Sequence, residues 1–287
     1  MTHQAAPVVP PRHRAGRLTV VDPSYGARLL GLAELPSYWE LVLMLAWREI
    51  RIRYKQTVIG AGWAVIQPLL TMVVFTIVFT KVGHVSSGGQ SYPVLVFVGL
   101  LPWQLFSQAV GKGATSLVAN SPLISKIYFP RVIMPLAALG APLMDFTISL
   151  GILAVLMAAY GAVPGWGLFA LPLFVALTLL LSFAVGLWLS ALNARFRDIG
   201  YVTPFVLQLG LYATPIAYPL SAVPGRWRTL LELNPMTEIV QGFRWGLIGD
   251  QSPDFVFLGI GTLVILAVLG SGLAYFARMQ RTVADVI

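Results

Sequence analysis

The densest cluster of charge in this chain is a run of four cations at residues 48–55, namely Arg48, Arg51, Arg53 and Lys55. Guanidinium and ammonium groups bind phosphate oxygens, and a guanidinium can do so with two parallel hydrogen bonds. Arg48, Arg51 and Lys55 are therefore candidates for binding the phosphate of a membrane-bound substrate. Cations of this kind also anchor a chain to acidic lipid headgroups at about 1 kcal/mol each, and the sequence leaves both readings open.

Other chemistry-bearing patterns are missing from the sequence. Its three histidines, His3, His13 and His84, are scattered, and no carboxylates are paired. Because there are no cysteines, disulfides, thiolate metal sites and a cysteine nucleophile are excluded. The sequence therefore predicts no catalytic residue, no metal ligand and no cofactor in this chain.

One segment, GKGATS at 111–116, superficially resembles a phosphate-binding loop. A Walker A loop needs G-x-x-x-x-G-K-[ST], but here Gly113 follows Lys112 and Phe106 stands where the first glycine belongs. The match fails, so any ATP must be bound by a different polypeptide.

The composition indicates that these residues are held by membrane helices. Of the 287 residues, 57% are hydrophobic and only 10% are charged, and the mean hydropathy is +0.79. Such values lie outside the range of soluble domains. The net charge of +8 does not indicate nucleic-acid binding, because the cations flank apolar segments instead of forming a basic face. The predicted fold class is an all-α integral membrane protein.

Six charge-poor segments are long enough to cross a bilayer, for which about 20 apolar residues are needed. The turn signal GAVPGWG at 161–167 divides the longest apolar run. We predict a partly disordered cytoplasmic tail without a signal peptide at 1–36, a transmembrane domain at 37–280 and a cytoplasmic C-terminus at 281–287. The six predicted spans are approximately 57–80, 92–116, 132–160, 166–193, 200–220 and 255–277.

Orientation follows from the distribution of the 19 Lys and Arg residues. With both termini inside, 15 of them fall on the cytoplasmic side, which the positive-inside rule favours. The other side keeps Lys81, Arg226, Arg228 and Arg244. We therefore expect a multi-pass plasma (inner) membrane protein with both termini in the cytoplasm.

An amphipathic interfacial helix is predicted at 37–56, directly before the first span, with Ser37 and Glu40 as a capping box. Its apolar face, which we expect to face the bilayer, consists of Leu43, Trp47, Ile50 and Tyr54. The candidate phosphate ligands Arg48 and Lys55 lie on the opposite face, with Arg51 at its edge.

Asp145 is the single ionisable residue deep within a predicted span, and such a residue is a functional candidate by default. Proton coupling would require a second titratable group, and none is visible nearby in the sequence. We favour a structural role, with a hydrogen bond to Thr178 or Ser182 on a neighbouring helix.

Two cytoplasmic segments and one outer segment are candidates for contacts. A short helix is predicted within 120–131, where Leu123, Ile124, Ile127, Tyr128 and Phe129 require a partner surface or lipid. The loop at 193–201 is either a solvated turn or a protein contact.

On the outer side, Asn234, Pro235 and Gly249 predict a capped helix at 235–248, preceded by another at 226–233. The aromatic residues here, Trp227, Phe243 and Trp245, suit either the membrane interface or stacking on sugars.

Several stretches together resemble one family. They are REIRIRYKQTVIGAGWAVIQPLLTMVVFTIVF at 48–79, YPVLVFVGLLPWQLFSQAV at 92–110, SPLISKIYFPRVIMPL at 121–136, LSALNARFRDIGYVTPFVLQ at 189–208, and ATPIAYPLS followed by LNPMTEIVQGFR. This order resembles the ABC-2 type transporter permeases, and among them the polysaccharide and polyol-phosphate exporters of the O-antigen, teichoic-acid and capsule type, with the O-antigen permeases most similar.

The resemblance implies a homodimeric permease that pairs with two separate ATPase subunits, which bind the ATP and Mg²⁺. Its substrate would be a glycan on a polyprenyl diphosphate, which moves through a channel between the two permeases. Residues implied to contact the ATPase are Ser121, Pro122, Leu123, Ile124, Lys126, Ile127, Tyr128, Arg195, Arg197 and Asp198. Aromatic residues implied as possible channel lining are Trp63, Phe97, Trp103, Phe106, Tyr201, Phe205 and Tyr212. The outer helices, with Trp227, Asn234, Pro235, Phe243 and Trp245, would close the exit.

Two other functions remain open at this point. One is a multi-pass enzyme that acts on a lipid-linked sugar, which would need a cluster of His, Asp or Glu near the membrane surface. The other is an ion-coupled transporter, for which Asp145 is the one candidate coupling residue.

Overall fold

The computed structural model describes residues 35–55, 62–82, 91–220 and 223–283. Nearly all of the predicted tail at 1–36, the start of the first predicted span and residues 284–287 lie outside the described residues. Within the described ranges the chain forms helices joined by turns, with no strand.

Eleven α-helices occur in this described part. They are α1 (Trp39–Lys55), α2 (Gly62–Thr76), α3 (Tyr92–Ala119), α4 (Ser121–Ile124), α5 (Ile133–Ala137), α6 (Gly140–Tyr160), α7 (Leu171–Arg195), α8 (Ile199–Tyr212), α9 (Gly225–Glu232), α10 (Pro235–Ile248) and α11 (Phe255–Val283). A π-helical segment, Ile77–Val82, continues α2, and a 3-10 turn, Trp166–Ala170, leads into α7.

Five helical stretches of the described chain are long and apolar enough to cross a membrane. They are Gly62–Thr80, Tyr92–Ala119, Ile133–Tyr160, Trp166–Arg195 and Phe255–Met279. A sixth apolar helix, α8, is shorter. The predicted all-α integral membrane fold is confirmed.

The fifth predicted span differs most from the structure. Its helix, α8, ends at Tyr212 instead of continuing to Leu220. Pro215 explains the early end, because proline lacks an N–H and disfavours a helical conformation at the residue before it. The chain after α8 turns into the bundle, where Ile216 and Ala217 are buried.

The centre of the bundle is α3, whose residues from Val94 to Trp103 are all buried. Its most extensive partner is α7, and the two backbones come into close contact where Gly113 meets Gly186. A Cβ atom at Gly113 would lie 3.1 Å from the Cα of Gly186. Small residues of this kind allow membrane helices to pack backbone against backbone.

The interfacial helix α1 packs on the start of α6. Ala46 lies so close to Gly140 that a Cβ atom there would be 2.7 Å from the Ala46 methyl group. The face that enters the core carries Val42 and Leu45, which are buried, whereas Trp47 on the predicted apolar face is exposed. The amphipathic helix is present, but it also packs against the bundle with a second apolar face that the sequence reading missed.

Candidate functional site

A stripe of polar residues runs along α3. Its members, Gln104, Gln108, Lys112, Ser116 and Asn120, recur every four residues, so each lies about one helical turn from the next while the stripe winds gradually around the helix. We call this set the polar stripe. Two cavities border it, one of about 400 Å³ beside Lys112, Ser116 and Asn120, and one of about 10 Å³ beside Gln104 and Gln108. Polar groups of α1, α3 and α6 therefore meet inside the bundle.

Asp145 of α6 is held by the last turn of α1. The Tyr54 hydroxyl donates a hydrogen bond to its Oδ1, and the Arg53 guanidinium forms an ion pair with its Oδ2. Arg53 also donates from Nη2 to Oε1 of Gln108 at 2.9 Å. The cluster of Arg53, Tyr54, Gln108 and Asp145 thus joins α1, α3 and α6.

The predicted partners of Asp145 are wrong. Thr178 and Ser182 each donate to the carbonyl four residues earlier in their own helix, both at 2.7 Å, as hydroxyls inside helices commonly do. Sequence reasoning missed Arg53 as a partner, although a carboxylate inside a span calls for a nearby cation. The prediction that Tyr54 faces the bilayer is also wrong, because its hydroxyl is bound to Asp145.

The three candidate phosphate ligands on α1 do not converge. Arg48 is half-buried, donates from Nη2 to the Asn120 side chain and lies 3.0 Å from Oε1 of Glu49. Arg51 is exposed with its guanidinium 5.7 Å from the centre of the Trp47 ring, and Lys55 is exposed. Only Arg48 borders the large cavity beside the polar stripe.

The predicted ATPase-contact residues lie in two segments near the C-terminal end of α3. In the first, Ser121, Pro122, Leu123 and Ile124 form the single turn of α4, and Lys126, Ile127 and Tyr128 follow it. The predicted helix over 120–131 is therefore reduced to one turn. After this turn the chain runs inward, and Phe129 is buried in the core. Expecting Phe129 to be exposed was wrong, whereas Ile127 and Tyr128 are exposed.

The second segment connects α7 to α8, and Asn193 fixes its position. The Asn193 amide donates to the Ala114 carbonyl at 3.0 Å, and its Oδ1 accepts from the Gly200 N–H at 3.1 Å. This places the exposed Arg195, Arg197 and Asp198 at the same end of the bundle as Tyr128. Both predicted contact segments therefore share one end of the molecule.

The seven aromatic residues suggested as channel lining fall into two groups. Phe97, Trp103 and Phe106 are buried within the bundle, where the ring centres of Trp103 and Phe106 are 5.5 Å apart. Trp63 on α2 and the α8 residues Tyr201, Phe205 and Tyr212 are exposed.

The outer helices are formed as predicted. Asn234 caps α10 by accepting from the Met236 N–H at 3.1 Å, and Gly249 ends it with a φ of 66°, a value that suits glycine. Of the predicted aromatic residues here, Trp227 is exposed, Trp245 is half-buried, and Phe243 is buried with its ring centre 6.0 Å from that of Phe146. Pro235 occupies the first turn.

Arg244 on α10 is completely buried, although the sequence counted it among the outer cations. Its Nη2 donates to the Ile216 carbonyl at 2.8 Å and its Nη1 to the Tyr218 carbonyl at 3.4 Å. Burial lowers the pKa of Arg244 to about 10, so the guanidinium stays charged at neutral pH. It therefore holds the non-helical chain after α8 against α10.

Glu238 lies one turn into α10 and is also buried. Its carboxylate accepts a hydrogen bond from the Asp254 backbone, while Oε2 has no partner among the described residues. Burial raises the pKa of Glu238 to about 7, and the nearby carboxylate of Glu232 adds to the rise.

The raised pKa of Glu238 predicts that the stability of the protein depends on pH. The folded protein binds the Glu238 proton more tightly than the unfolded chain, so stability falls as pH rises from about 4.5 to about 7 and stays reduced above that. We expect Glu238→Gln to flatten the profile and to raise stability at pH 8 by on the order of 3 kcal/mol. Thermal unfolding in detergent between pH 5 and 8 measures this. The exposed control Glu40→Gln should keep the pH profile of the parent. If Glu238→Gln also kept that profile, the raised pKa of Glu238 would be refuted.

Comparison with known proteins adds independent information. The ABC-2 type transporter family matches residues 40–248. The O-antigen export system permease protein RfbA of Myxococcus xanthus is 31% identical over 256 residues, which cover 88% of this chain and 98% of that protein. RfbA of Klebsiella pneumoniae is 26% identical over 254 residues, covering 87% of this chain and 95% of that protein.

A third relative, the polysialic acid transport protein KpsM of Escherichia coli, is 24% identical over 239 residues, covering 82% of this chain and 91% of that protein. The family match spans the interfacial helix, the first five apolar helices and both outer helices. Taken with the helical bundle, it shows that this chain is a multi-pass membrane protein of the ABC-2 type transporter family.

Proposed function

We propose that this chain is the permease subunit of an ATP-driven exporter that moves a polyprenyl-diphosphate-linked polysaccharide, similar to an O-antigen, across the plasma (inner) membrane. The similarity to O-antigen export permeases over nearly their whole length supports the substrate class. Capsule-type export is the neighbouring alternative within the same function, supported by the similarity to the polysialic acid transporter. Family membership makes the chain a transport component and not an enzyme acting on the sugar.

The observation that carries this proposal is the exposed apolar pair Ile127 and Tyr128, which are 56% and 73% exposed. Because Phe129 next to them is buried in the core, a force on this pair is transmitted to the helix bundle. Arg195, Arg197 and Asp198 add charges at the same end. This end suits docking of a separate ATPase subunit, which would bind ATP and Mg²⁺.

The path of the substrate is proposed from exposed residues. Arg51 and Lys55 are free to meet a diphosphate headgroup, and Arg48 lies one turn from Arg51, beside the polar stripe. Trp63, Tyr201, Phe205 and Tyr212 would stack on sugar rings if a second copy of the chain completed a channel against α2 and α8. The buried residues Phe97, Trp103 and Phe106 would pack beneath this channel surface and support it. Movement of α9 and α10, including Trp227 and Trp245, would open the exit.

The orientation in this proposal has both termini in the cytoplasm. It rests on the distribution of Lys and Arg along the chain and on the position of the exposed segment at Ile127. ATP-driven closure of two ATPase subunits would press on that segment in each copy of a homodimer and tilt the spans.

Paired substitutions test the proposal. We expect Ile127→Ser/Tyr128→Ser to abolish co-purification of the ATPase and surface display of the glycan, because the apolar contact is lost while folding is untouched. Val163→Ser, an exposed apolar position at the opposite end of the bundle, is the matched control and should behave like the parent. Pull-down and surface-glycan staining give the two readouts.

In cells depleted of the protein, mass spectrometry should find lipid-linked glycan accumulating inside the cell. Normal surface glycan after depletion would contradict the export function. Normal ATPase binding by the Ile127/Tyr128 double variant would contradict only the docking site.

A further inference from the structure

The GKGATS stretch at 111–116, which fails as a Walker A loop, lies entirely within α3. Its backbone N–H groups bond within the helix, but the helix places Gly111 and Thr115 on one face with Lys112 beside them. Lys112 and Thr115 are exposed. A Cβ atom at Gly111 would have no neighbour from another helix within 4 Å among the described residues. This face of α3 is therefore open, although most of the helix is buried.

Two side-chain contacts join α1 to α3, and Lys112 lies between them along α3. Arg48 donates to the side chain of Asn120, and Arg53 donates to the side chain of Gln108. The cavity of about 400 Å³ is lined by α1 and by the part of α3 from Lys112 to Asn120. Its volume equals that of about 13 liquid waters at ~30 Å³ each, which is enough for a diphosphate group with some of its hydrating water.

Lys112 supplies the net charge of this cavity. The other two charged groups that line it, Arg48 and Glu49, form an ion pair at 3.0 Å. The Lys112 side chain forms neither an ion pair nor a hydrogen bond within the described part of the chain. It acts electrostatically on Asp145, but that carboxylate is already bound by Arg53. A cation within a spanning helix favours a water-filled cavity or an anionic partner, and this cavity has room for both.

Depth distinguishes Lys112 from the cations of α1. Asn120, which binds Arg48, lies eight residues farther along the chain at the C-terminal end of α3, which is ~12 Å along a helix axis. In the proposed orientation that end is cytoplasmic. A headgroup that leaves the membrane surface near Arg48 therefore meets Lys112 next.

We propose that Lys112 is a specificity-determining residue of the transport path, which binds the diphosphate of the polyprenyl-linked substrate after the headgroup has left the membrane surface. This inference rests on the proposed function. The Lys112 ammonium donates to the phosphate oxygens. The Thr115 hydroxyl is 3.3 Å from the carbonyls of both Gly111 and Lys112, long for such bonds, so it can turn and donate as well. The open face at Gly111 leaves space for the anion to approach.

Phosphate is also present in ordinary phospholipids, so the experiment separates the two sources. The full chain in zwitterionic detergent is titrated with undecaprenyl diphosphate, with undecaprenol, which lacks phosphate, or with phosphatidylglycerol. Native mass spectrometry measures the bound fraction and needs no ATPase partner. The variants are Lys112→Gln, Lys112→Arg, Glu49→Gln and the control Arg278→Gln, an exposed cation in the last turns of α11.

We expect the parent, Lys112→Arg and Arg278→Gln to bind undecaprenyl diphosphate equally, and undecaprenol much more weakly. Lys112→Gln should bind the diphosphate about fivefold more weakly, the effect of one near-surface cation. Glu49→Gln should bind it more tightly, because a carboxylate that repels phosphate is removed from the same cavity. A purely structural contribution of Lys112 and Glu49 would instead weaken binding in both variants.

Equal binding of the diphosphate by the parent and Lys112→Gln would overturn the role of Lys112. Displacement of undecaprenyl diphosphate by an equal concentration of phosphatidylglycerol would overturn the choice of substrate. Should Lys112→Gln unfold at a lower Tm than the parent, the sign of the Glu49→Gln change decides, and unchanged or weaker binding there would refute the proposal. Surface glycan after depletion tests export separately, so a failure at Lys112 leaves the export function standing.

Discussion

Replacing Arg53 by Met should destabilise the protein more than replacing Asp145 by Leu, although both changes remove the same ion pair. The two side chains differ in their access to solvent, with 28% of the Arg53 side chain exposed but only 5% of Asp145. An arginine left alone can extend its long stem towards water, whereas Asp145 would remain buried as an unpaired charge. Breaking a buried pair in that way costs about 3–5 kcal/mol.

The comparison needs four variants measured by thermal unfolding in detergent. We expect the Tm to fall most for Arg53→Met and less for Asp145→Leu. The double variant Arg53→Met/Asp145→Leu should recover much of the loss, because no charge is then left unpaired. Arg51→Met is the matched control, since Arg51 is exposed and lies two residues away. An equal Tm for Arg53→Met and Arg51→Met would show that the ion pair carries no stability.

The second large effect is expected at Arg244. In Arg244→Met the carbonyls of Ile216 and Tyr218 would lose their donors. Each buried carbonyl without a partner costs about 1–3 kcal/mol, so we expect a loss of about 2–4 kcal/mol and release of the chain after α8. Export should fail even where the variant still inserts.

The absence of native cysteines makes this release directly measurable. Ala217→Cys places a thiol at a buried site, and Trp227→Cys places one at an exposed site. We expect a maleimide to label position 227 in both backgrounds, but position 217 only when Arg244 is Met. Protection of position 217 in the Arg244→Met background would rule out the proposed role of Arg244.

The features that the sequence predicted well are those decided by local patterns. Apolar length predicted the all-α membrane fold, although it placed the end of the fifth span too late. The Asn234-Pro235 and Gly249 pair predicted α10 to the residue. Pairings between distant segments were not predictable in this way. Arg53 and Asp145 are far apart in sequence, and the packing of α1 on α6, for example of Ala46 on Gly140, brings them together.

The same limit applies to Phe129 and Arg244. Phe129 was expected to be exposed and Arg244 was counted only as a cation of the outer side, whereas both residues are buried. Local composition indicates which face of a helix is apolar, but it does not indicate how many faces other helices will pack against. In α1 two faces are apolar, and the sequence reading assigned only one of them.

The short length of α8 has a consequence for the order in which the protein assembles. Its 14 residues rise only about 21 Å, less than the ~30 Å hydrocarbon thickness. The non-helical residues that follow obtain their missing hydrogen bonds from the Tyr92 hydroxyl, which donates to the Ala217 carbonyl, and from Arg244. Because Arg244 is synthesised after α8, the Ile216 carbonyl does not yet have this donor when the segment first leaves the ribosome. We expect it to complete its insertion only after α10 has emerged, late in biogenesis.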